Sequence, residues 1–93
     1  MLTILSVFCL VSFAQSSVTG IVKDKTGEPI VGASILIKGT STGTVTDING
    51  NFTIQKANPS DVLVISSIGY ANQNANVGNQ TKLNVVLQDD TAN

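Results

Sequence analysis

Apolar and polar residues alternate along most of this chain in short runs, and segments rich in glycine, proline or asparagine separate the runs. Alternation with a period of two is typical of strands that bury one face, and no run beyond residue 14 keeps the period of 3.6 that an amphipathic helix shows. The sequence therefore predicts an all-β fold. The seven predicted strands lie at 18–23, 30–38, 44–46, 51–55, 62–68, 71–77 and 82–88.

The same pattern predicts how the strands pack. The run at 62–68 is almost continuously apolar, which favours a central strand covered on both faces. Seven short strands in this length favour a two-sheet sandwich of immunoglobulin-like or transthyretin-like type, because a single sheet would leave one apolar face in water. An up-and-down barrel is the alternative. The side chains expected in the core are Ala33, Ile35, Ile37, Phe52, Ile54, Leu83, Val85 and Leu87.

The turn signals are strongest between Gly39 and Phe52. The pair Asn49-Gly50 stands between two strand-like runs, which is a strong short-range signal for a β-hairpin. A type I′ turn needs positive φ at both central residues, and asparagine and glycine adopt it most readily. The sequence therefore predicts a hairpin in which Asn49 and Gly50 join the third and fourth strands.

A calcium loop is the chemical alternative for this turn. The segment from Asp47 to Asn51 carries several side-chain oxygens, but Gly50 is the fourth residue from Asp47, where an EF-hand loop has its glycine sixth. No glutamate closes the loop. We therefore interpret these side chains as turn stabilisers and predict no metal site.

The chain begins with an uncharged apolar segment at residues 2–14. It is shorter than the roughly 20 residues that a transmembrane helix needs, and its length is typical of a signal-peptide core. Ser12 and Ala14 are small residues at the positions that signal peptidase prefers, so we expect cleavage between Ala14 and Gln15, with 15–17 as a polar spacer. A buried first strand and a membrane anchor are the alternatives.

Composition argues against catalysis and against nucleic acid binding. Five lysines and six acidic residues give a net charge of −1, which provides no basic patch for a phosphate backbone. The chain has no histidine and no arginine, and its single cysteine, Cys9, lies in the predicted signal peptide. The usual general base, thiolate nucleophile and soft metal ligands are therefore missing, so we predict a protein without enzymatic activity and without a cofactor.

The pair Gly69-Tyr70 follows the most apolar run and contains the only tyrosine of the chain. A structural interpretation is a kink that ends the strand, with the ring covering the core and the hydroxyl reaching a backbone partner. The functional interpretation is a surface contact, because tyrosine is favoured in protein interfaces. Gly69 and Tyr70 are therefore candidate partner contacts.

Five segments, in this order and spacing, resemble the carboxypeptidase-D regulatory-like domain, in the version found at the mature N-terminus of SusC/RagA-type TonB-linked outer-membrane transporters. The resemblance runs from about Val18 to Leu87, which is nearly all of the chain after the predicted signal peptide. No catalytic residue is implied by it. The segments are 18–22 (VTGIV), 27–33 (GEPIVGA), 38–47 (KGTSTGTVTD), 50–52 (GNF) and 67–70 (SIGY).

The resemblance implies a domain at 18–88 that faces the periplasm of a Gram-negative cell, with 89–93 as the start of a linker. It implies a following TonB-box-like segment, plug and barrel, which import glycans or peptides captured by a surface lipoprotein. The expected partners are that plug and barrel, the TonB energy-transduction system and the glycan-binding lipoprotein. The expected function is that of a non-catalytic accessory domain, present here as an amino-terminal fragment of the transporter.

Two other functions are weighed against this one. The first is a free-standing exported module that binds a glycan or a cell-envelope protein; it is weakened because only Phe52 and Tyr70 are aromatic after the predicted signal peptide, and Phe52 is expected in the core. The second is a regulatory sandwich attached to a carboxypeptidase, which is disfavoured because only the predicted signal peptide precedes the domain.

Overall fold

A computed structural model describes residues 16–90, which form seven strands in two sheets. The strands are β1 (Ser16–Asp24), β2 (Ser34–Ile37), β3 (Gly43–Val45), β4 (Asn51–Ala57), β5 (Val62–Ser66), β6 (Gln73–Asn76) and β7 (Lys82–Leu87). One sheet has the order β4-β1-β7 and the other β3-β2-β5-β6. The predicted seven-stranded sandwich is confirmed. Within residues 16–90 there is no helix with the length and apolar character needed to cross a membrane.

The first and last strands pair in parallel. Gly20 of β1 lies opposite Leu83 of β7 in this parallel ladder and opposite Phe52 of β4 in an antiparallel one. The pairings inside the four-stranded sheet are all antiparallel. A parallel pair cannot be closed by a tight turn, and here most of the domain lies between the two partners. The β1–β7 ladder therefore pairs the first strand of the domain with its last.

The core lies between the two sheets and is built from alternating inward positions. Along β4 and β7 buried and exposed residues alternate, as a strand with one covered face requires. All eight residues predicted for the core are buried. Fully burying such an aliphatic or aromatic side chain contributes about 1.5–3 kcal/mol. The largest fully buried side chains are Ile35, Leu63, Ile65, Leu87, Val18 and Val22.

The prediction for the most apolar run is wrong in two respects. The strand ends at Ser66 rather than at residue 68, because the Tyr70 N–H donates to the Ser67 carbonyl (3.1 Å) and turns the chain. Inward and outward residues also alternate in β5, where Leu63 is buried but Val64 only half-buried. The outer face of this sheet has no second layer of described residues over it, so β5 is central within its sheet but covered on one face only.

The predicted turn at Asn49-Gly50 is present, but the predicted type I′ geometry and the pairing of the third strand with the fourth are wrong. β3 pairs with β2, and β4 pairs with β1 in the other sheet, so the turn carries the chain from one sheet to the other. Gly50 has a φ of 78°, whereas Asn49 is not in the positive region that type I′ requires. The Gly50 N–H donates to the Asp47 carbonyl (2.9 Å) and the Asp47 N–H to the Asn51 carbonyl (2.9 Å). These bonds are those of a three-residue loop that ends in a left-handed glycine.

β4 continues two residues beyond its predicted end at Gln55. Lys56 is the only non-glycine residue with positive φ (61°) in the described part of the chain. The register against β1 shifts there, because Ser16 lies opposite Ala57 and Val18 opposite Ile54. An extra residue of this kind is a β-bulge. The bulge lets Ala57 return to the core, where it is buried.

Candidate functional site

The loops of the sandwich gather at two ends. Because β1 and β7 are parallel, the first described residues lie at one end and the last described residues leave at the other. At that second end the Ala71 N–H donates to the Gln88 carbonyl (2.9 Å) and the Asp90 N–H to the Gly69 carbonyl (3.1 Å). We define the exit end as residues 23–33, 46–50, 67–71 and 88–90, and the opposite end as residues 38–42, 56–61 and 77–82.

A buried threonine joins two loops of the exit end. Thr46 is 3% exposed, and its hydroxyl donates to the Ile30 carbonyl (2.6 Å) and accepts from the Ala33 N–H (2.8 Å). Its backbone N–H donates to the Ala33 carbonyl (2.9 Å), and its carbonyl accepts from the Gly32 N–H (3.1 Å). These four bonds hold residues 30–33 beside the start of the 46–50 loop. Thr46 was not singled out by the sequence, where it is one threonine among several in a polar run.

Exposed apolar side chains are concentrated at this end. Val31 and Val45 are each 63% exposed, Ile48 is 78% exposed and Ile68 is fully exposed. We call these four residues the apolar tip; Val45 is the last residue of β3 and directly precedes the 46–50 loop of the exit end. The two other large hydrophobic side chains that are exposed in the described part of the chain, Leu36 and Val86, lie on strands β2 and β7.

Charge is distributed unevenly between the two ends. The exit end carries five carboxylates and two ammonium groups, a net charge of −3, and the opposite end carries three ammonium groups and one carboxylate, a net charge of +2; together these give the −1 of the whole chain. Lys25 and Asp89 form an exposed ion pair (3.0 Å). The exit-end residues are Lys23, Asp24, Lys25, Glu28, Asp47, Asp89 and Asp90, and those of the opposite end are Lys38, Lys56, Asp61 and Lys82.

Two of these carboxylates stabilise turns. One Asp24 oxygen accepts from the Thr26 hydroxyl (2.6 Å), the Thr26 N–H (2.9 Å) and the Glu28 N–H (3.0 Å). The hydrogen bond from the Thr26 hydroxyl is the largest cause that lowers the pKa of Asp24; desolvation opposes it, and hydrogen bonds from backbone N–H groups add to the lowering.

Asp47 acts in the same way in the loop that crosses between the sheets. One of its oxygens accepts from the backbone N–H groups of Asn49 (2.9 Å) and Asn51 (3.0 Å). This is the turn-stabilising role expected of Asp47 from the sequence. Within residues 16–90 no three histidine, cysteine, aspartate or glutamate residues are grouped closely enough to hold a metal ion.

The structure brings the two predicted turn pairs to the same end. Asn49 and Gly50 lie in the 46–50 loop and Gly69 and Tyr70 in the 67–71 loop, both at the exit end. Tyr70 is half-buried and packs against the core. Its backbone pairs with that of Asp89 in an isolated antiparallel β-bridge. The role of Gly69 and Tyr70 as partner contacts stays a prediction. The predicted cleavage site at Ala14 and Gln15 lies outside the described residues.

A second surface feature lies on the three-stranded sheet. A shallow depression of about 390 Å³ crosses the middle of β1 and the first residues of β4 and β7. Its side chains supply amides, hydroxyls and one ammonium group, with no carboxylate, imidazole or thiol, so they can form hydrogen bonds to a ligand but offer no general base. The sequence gives no sign of this depression, because the residues that line it are far apart along the chain. The outward-pointing lining residues are Thr19, Ile21, Asn51, Thr53, Lys82 and Asn84.

Two stacked sheets, one apolar core and loops gathered at two ends define a small β-sandwich module. The family model of the CarboxypepD_reg-like domain matches residues 18–93, which is most of the chain. The chain belongs to the CarboxypepD_reg-like domain family. The resemblance carried by its sequence motifs is thereby confirmed.

Known receptors contain closely similar segments. Over 81 residues the chain is 52% identical to the TonB-dependent receptor SusC of Bacteroides thetaiotaomicron, and the match covers 86% of this chain and 8% of the receptor. Over 83 residues it is 42% identical to the TonB-dependent receptor P26 of Formosa agariphila, covering 89% of this chain and 8% of that receptor. The chain therefore spans less than a tenth of the length of these relatives.

Solved structures with the same fold come from a different system. Two interface mutants of the type II cohesin–X–dockerin complex of Acetivibrio cellulolyticus contain chains that superpose with TM-scores of 0.63 and 0.60. The sequence identities are 23% and 24%, the matches cover 80% and 77% of this chain, and they cover 58% and 56% of the other chains. At such identities the likeness supports the sandwich fold alone.

Proposed function

We propose that this chain is the N-terminal accessory domain of a TonB-dependent outer-membrane receptor of the SusC/RagA kind. The observation that carries the proposal is the 52% identity to SusC over 86% of this chain. The chain is exported by a signal peptide cleaved between Ala14 and Gln15, and residues 18–88 fold as a domain on the periplasmic face of the outer membrane. Residues 89–93 begin the linker to the plug and barrel.

The domain acts by binding and not by catalysis. Its chemistry supports this role, because the chain has no histidine or arginine and its single cysteine is at position 9. Asp24 and Asp47, the carboxylates with the most hydrogen bonds, serve turns. The cargo is a glycan or a peptide delivered by a surface lipoprotein, and the energy for import comes from the TonB system.

The reading frame of the native gene provides the first test. We expect the codon for Asn93 to be followed by codons for a plug and a barrel, because the relatives named above are more than ten times longer than the match. An immediate stop codon with no receptor sequence after it would refute the accessory-domain function.

A deletion in the native cell tests the function itself. Removal of codons 18–88 should leave the receptor in the outer-membrane fraction and reduce growth on the glycan or peptide that the intact strain imports. Insertion of the part of SusC that aligns with residues 18–88 should restore growth, since about half of the residues in the match are identical. Undiminished growth of the deletion strain, at equal receptor levels in an immunoblot, would contradict the proposal.

The depression on the three-stranded sheet favours a second candidate, a free-standing exported module that binds a glycan or an envelope protein. Amides and hydroxyls at Asn51, Thr53 and Asn84 are groups that can bind sugar hydroxyls. A glycan array probed with the mature chain tests this. Binding that Asn84→Ala abolishes and Asn76→Ala, an exposed residue of β6, leaves intact would support the second candidate, and an array without binding would reject the glycan form of it.

A further inference from the structure

The apolar tip contains four of the six large hydrophobic side chains that are exposed within residues 16–90. Single exposed apolar residues are normal, whereas several gathered at one place indicate an interaction surface. The Thr46 bonds to Ala33 and Gly32 continue the ladder in which Ser34 lies opposite Val45. They therefore set the segment with Val31 beside the segment with Val45 and Ile48. The segment with Ile68 follows on the other side, because Ser34 of β2 also lies opposite Ser66 of β5.

The last described residues leave the domain at this same end. The Asp90 N–H donates a hydrogen bond to the carbonyl of Gly69, which follows the fully exposed Ile68 in the chain. The three residues after Asp90 span at most about 10 Å when extended. Any chain that follows residue 93 therefore starts beside the apolar tip, and so short a tether keeps it at an effective concentration in the millimolar range.

We propose that the exit end docks onto the part of the receptor chain that follows residue 93, through an apolar surface bordered by lysine or arginine. This inference rests on the proposed function, which places the domain in a longer receptor. The net charge of −3 at the exit end supplies the reason for a basic border on the occupant. The same charge disfavours a second copy of this end as the occupant, because five carboxylates would face five others.

Cysteine labelling tests this docking. In the full-length receptor and in the isolated mature chain of residues 15–93, Ile48→Cys and Ile68→Cys are compared with Ser41→Cys, an isosteric control in the exposed loop of the opposite end. Maleimide labelling is followed by mass spectrometry of the peptide that carries each cysteine. We expect the rate at positions 48 and 68 to fall about tenfold or more in the full-length receptor, which corresponds to docking of about nine molecules in ten. The rate at position 41 should change little.

Charge reversal tests the chemistry of the occupant. Glu28→Lys, a change at an exposed residue of the exit end, should return the labelling rate of Ile48→Cys in the full-length receptor towards the rate in the isolated mature chain of residues 15–93. Added salt should act in the same direction. Lys38→Glu at the opposite end is the matched control and should leave the rate unchanged.

The outcomes separate docking from the receptor function. Equal labelling of positions 48 and 68 in the two chains would overturn the docking proposal, whereas equal protection of positions 41, 48 and 68 would show shielding of the whole domain and also overturn it. A growth defect of the 18–88 deletion combined with unprotected cysteines would retain the accessory function and reject this docking surface. A native gene that ends at Asn93 would reject both.

Discussion

Gly20 illustrates how a missing side chain shapes the core. It is buried at the centre of β1, and a Cβ added there would overlap the Phe52 ring and lie 2.9 Å from the Leu83 carbonyl oxygen. The Phe52 ring therefore occupies the space that Gly20 leaves, an arrangement in which an aromatic residue covers a glycine on the neighbouring strand.

We expect Gly20→Ala to lower the free energy of unfolding by about 1–3 kcal/mol, the cost of forcing an added methyl group into a packed core. Urea denaturation of the mature chain measures it. In a double-mutant cycle, Phe52→Leu combined with Gly20→Ala should cost less than the two single changes together, because the smaller side chain makes room. An unchanged midpoint for Gly20→Ala would contradict this packing.

Asp24 makes the stability of the first loop dependent on pH. Hydrogen bonds from the Thr26 hydroxyl and from backbone N–H groups hold the folded-state pKa of Asp24 below its ordinary value. A carboxylate with a lowered folded-state pKa stabilises the fold at pH values above its unfolded pKa, and this contribution is lost as the pH falls through the folded one.

We therefore expect Asp24→Asn to lower the urea midpoint at neutral pH and to differ progressively less from the wild type below about pH 4. Measurement from pH 7 down to the acid limit of folding tests this. Glu28→Gln removes a carboxylate from the same loop without touching these bonds and controls for total charge. A difference between Asp24→Asn and the wild type that stays constant with pH would be inconsistent with the assigned hydrogen bonds.

At the scale of elements, the Thr46 hydroxyl connects the entrance of β2 with the end of β3. Thr46→Val would leave the buried Ala33 N–H and Ile30 carbonyl without their partner, which costs about 1–3 kcal/mol. Thr46→Ser retains both bonds and loses one methyl group, so we expect it to be the more stable of the two variants in urea denaturation. A valine variant as stable as the serine variant would rule out this connecting role.

The loop between the sheets depends on Gly50 for two reasons. Its φ of 78° is strained for other residues, and an added Cβ would lie 2.6 Å from the Val22 carbonyl oxygen. Gly27 has a φ of 90° but open space around its Cβ position. In both alanine variants the left-handed backbone should lower the free energy of unfolding by about 1–2 kcal/mol. Only Gly50→Ala should lower it further, through the steric overlap with the Val22 carbonyl oxygen. Equal urea midpoints for the two variants would argue against the close approach to β1.

At the scale of the whole molecule, the parallel β1–β7 ladder closes the domain. β7 supplies Leu83, Val85 and Leu87 to the core, so a chain that ends at residue 81 loses both this apolar surface and one side of β1. We expect it to lack the dispersed amide spectrum of a folded protein in NMR, while a chain that ends at residue 90 keeps it. A folded chain without β7 would show that the other strands suffice.

The sequence predicted most strands and every core residue proposed from it, because alternation along a strand depends only on neighbouring residues. The predictions from sequence were wrong where the pairing or the burial of a segment depends on residues far away in the chain. Asn49-Gly50 has the local chemistry of a hairpin, yet β1 captures the chain after the turn, since the Val22 N–H donates to the Gly50 carbonyl (2.8 Å). The run at 62–68 is apolar enough for a strand covered twice, but the domain has no second layer for it.

The sequence by itself determined the class of fold, the core-facing side chains and, through its motif series, the family. The tertiary structure alone decided that β1 pairs with β7, that Thr46 connects two loops, and that the apolar tip lies at the same end of the domain as five of the six acidic residues. The physical reason is sequence separation. Periodicity is a property of adjacent residues, whereas pairing partners and surface patches are set by residues that only the folded chain brings together.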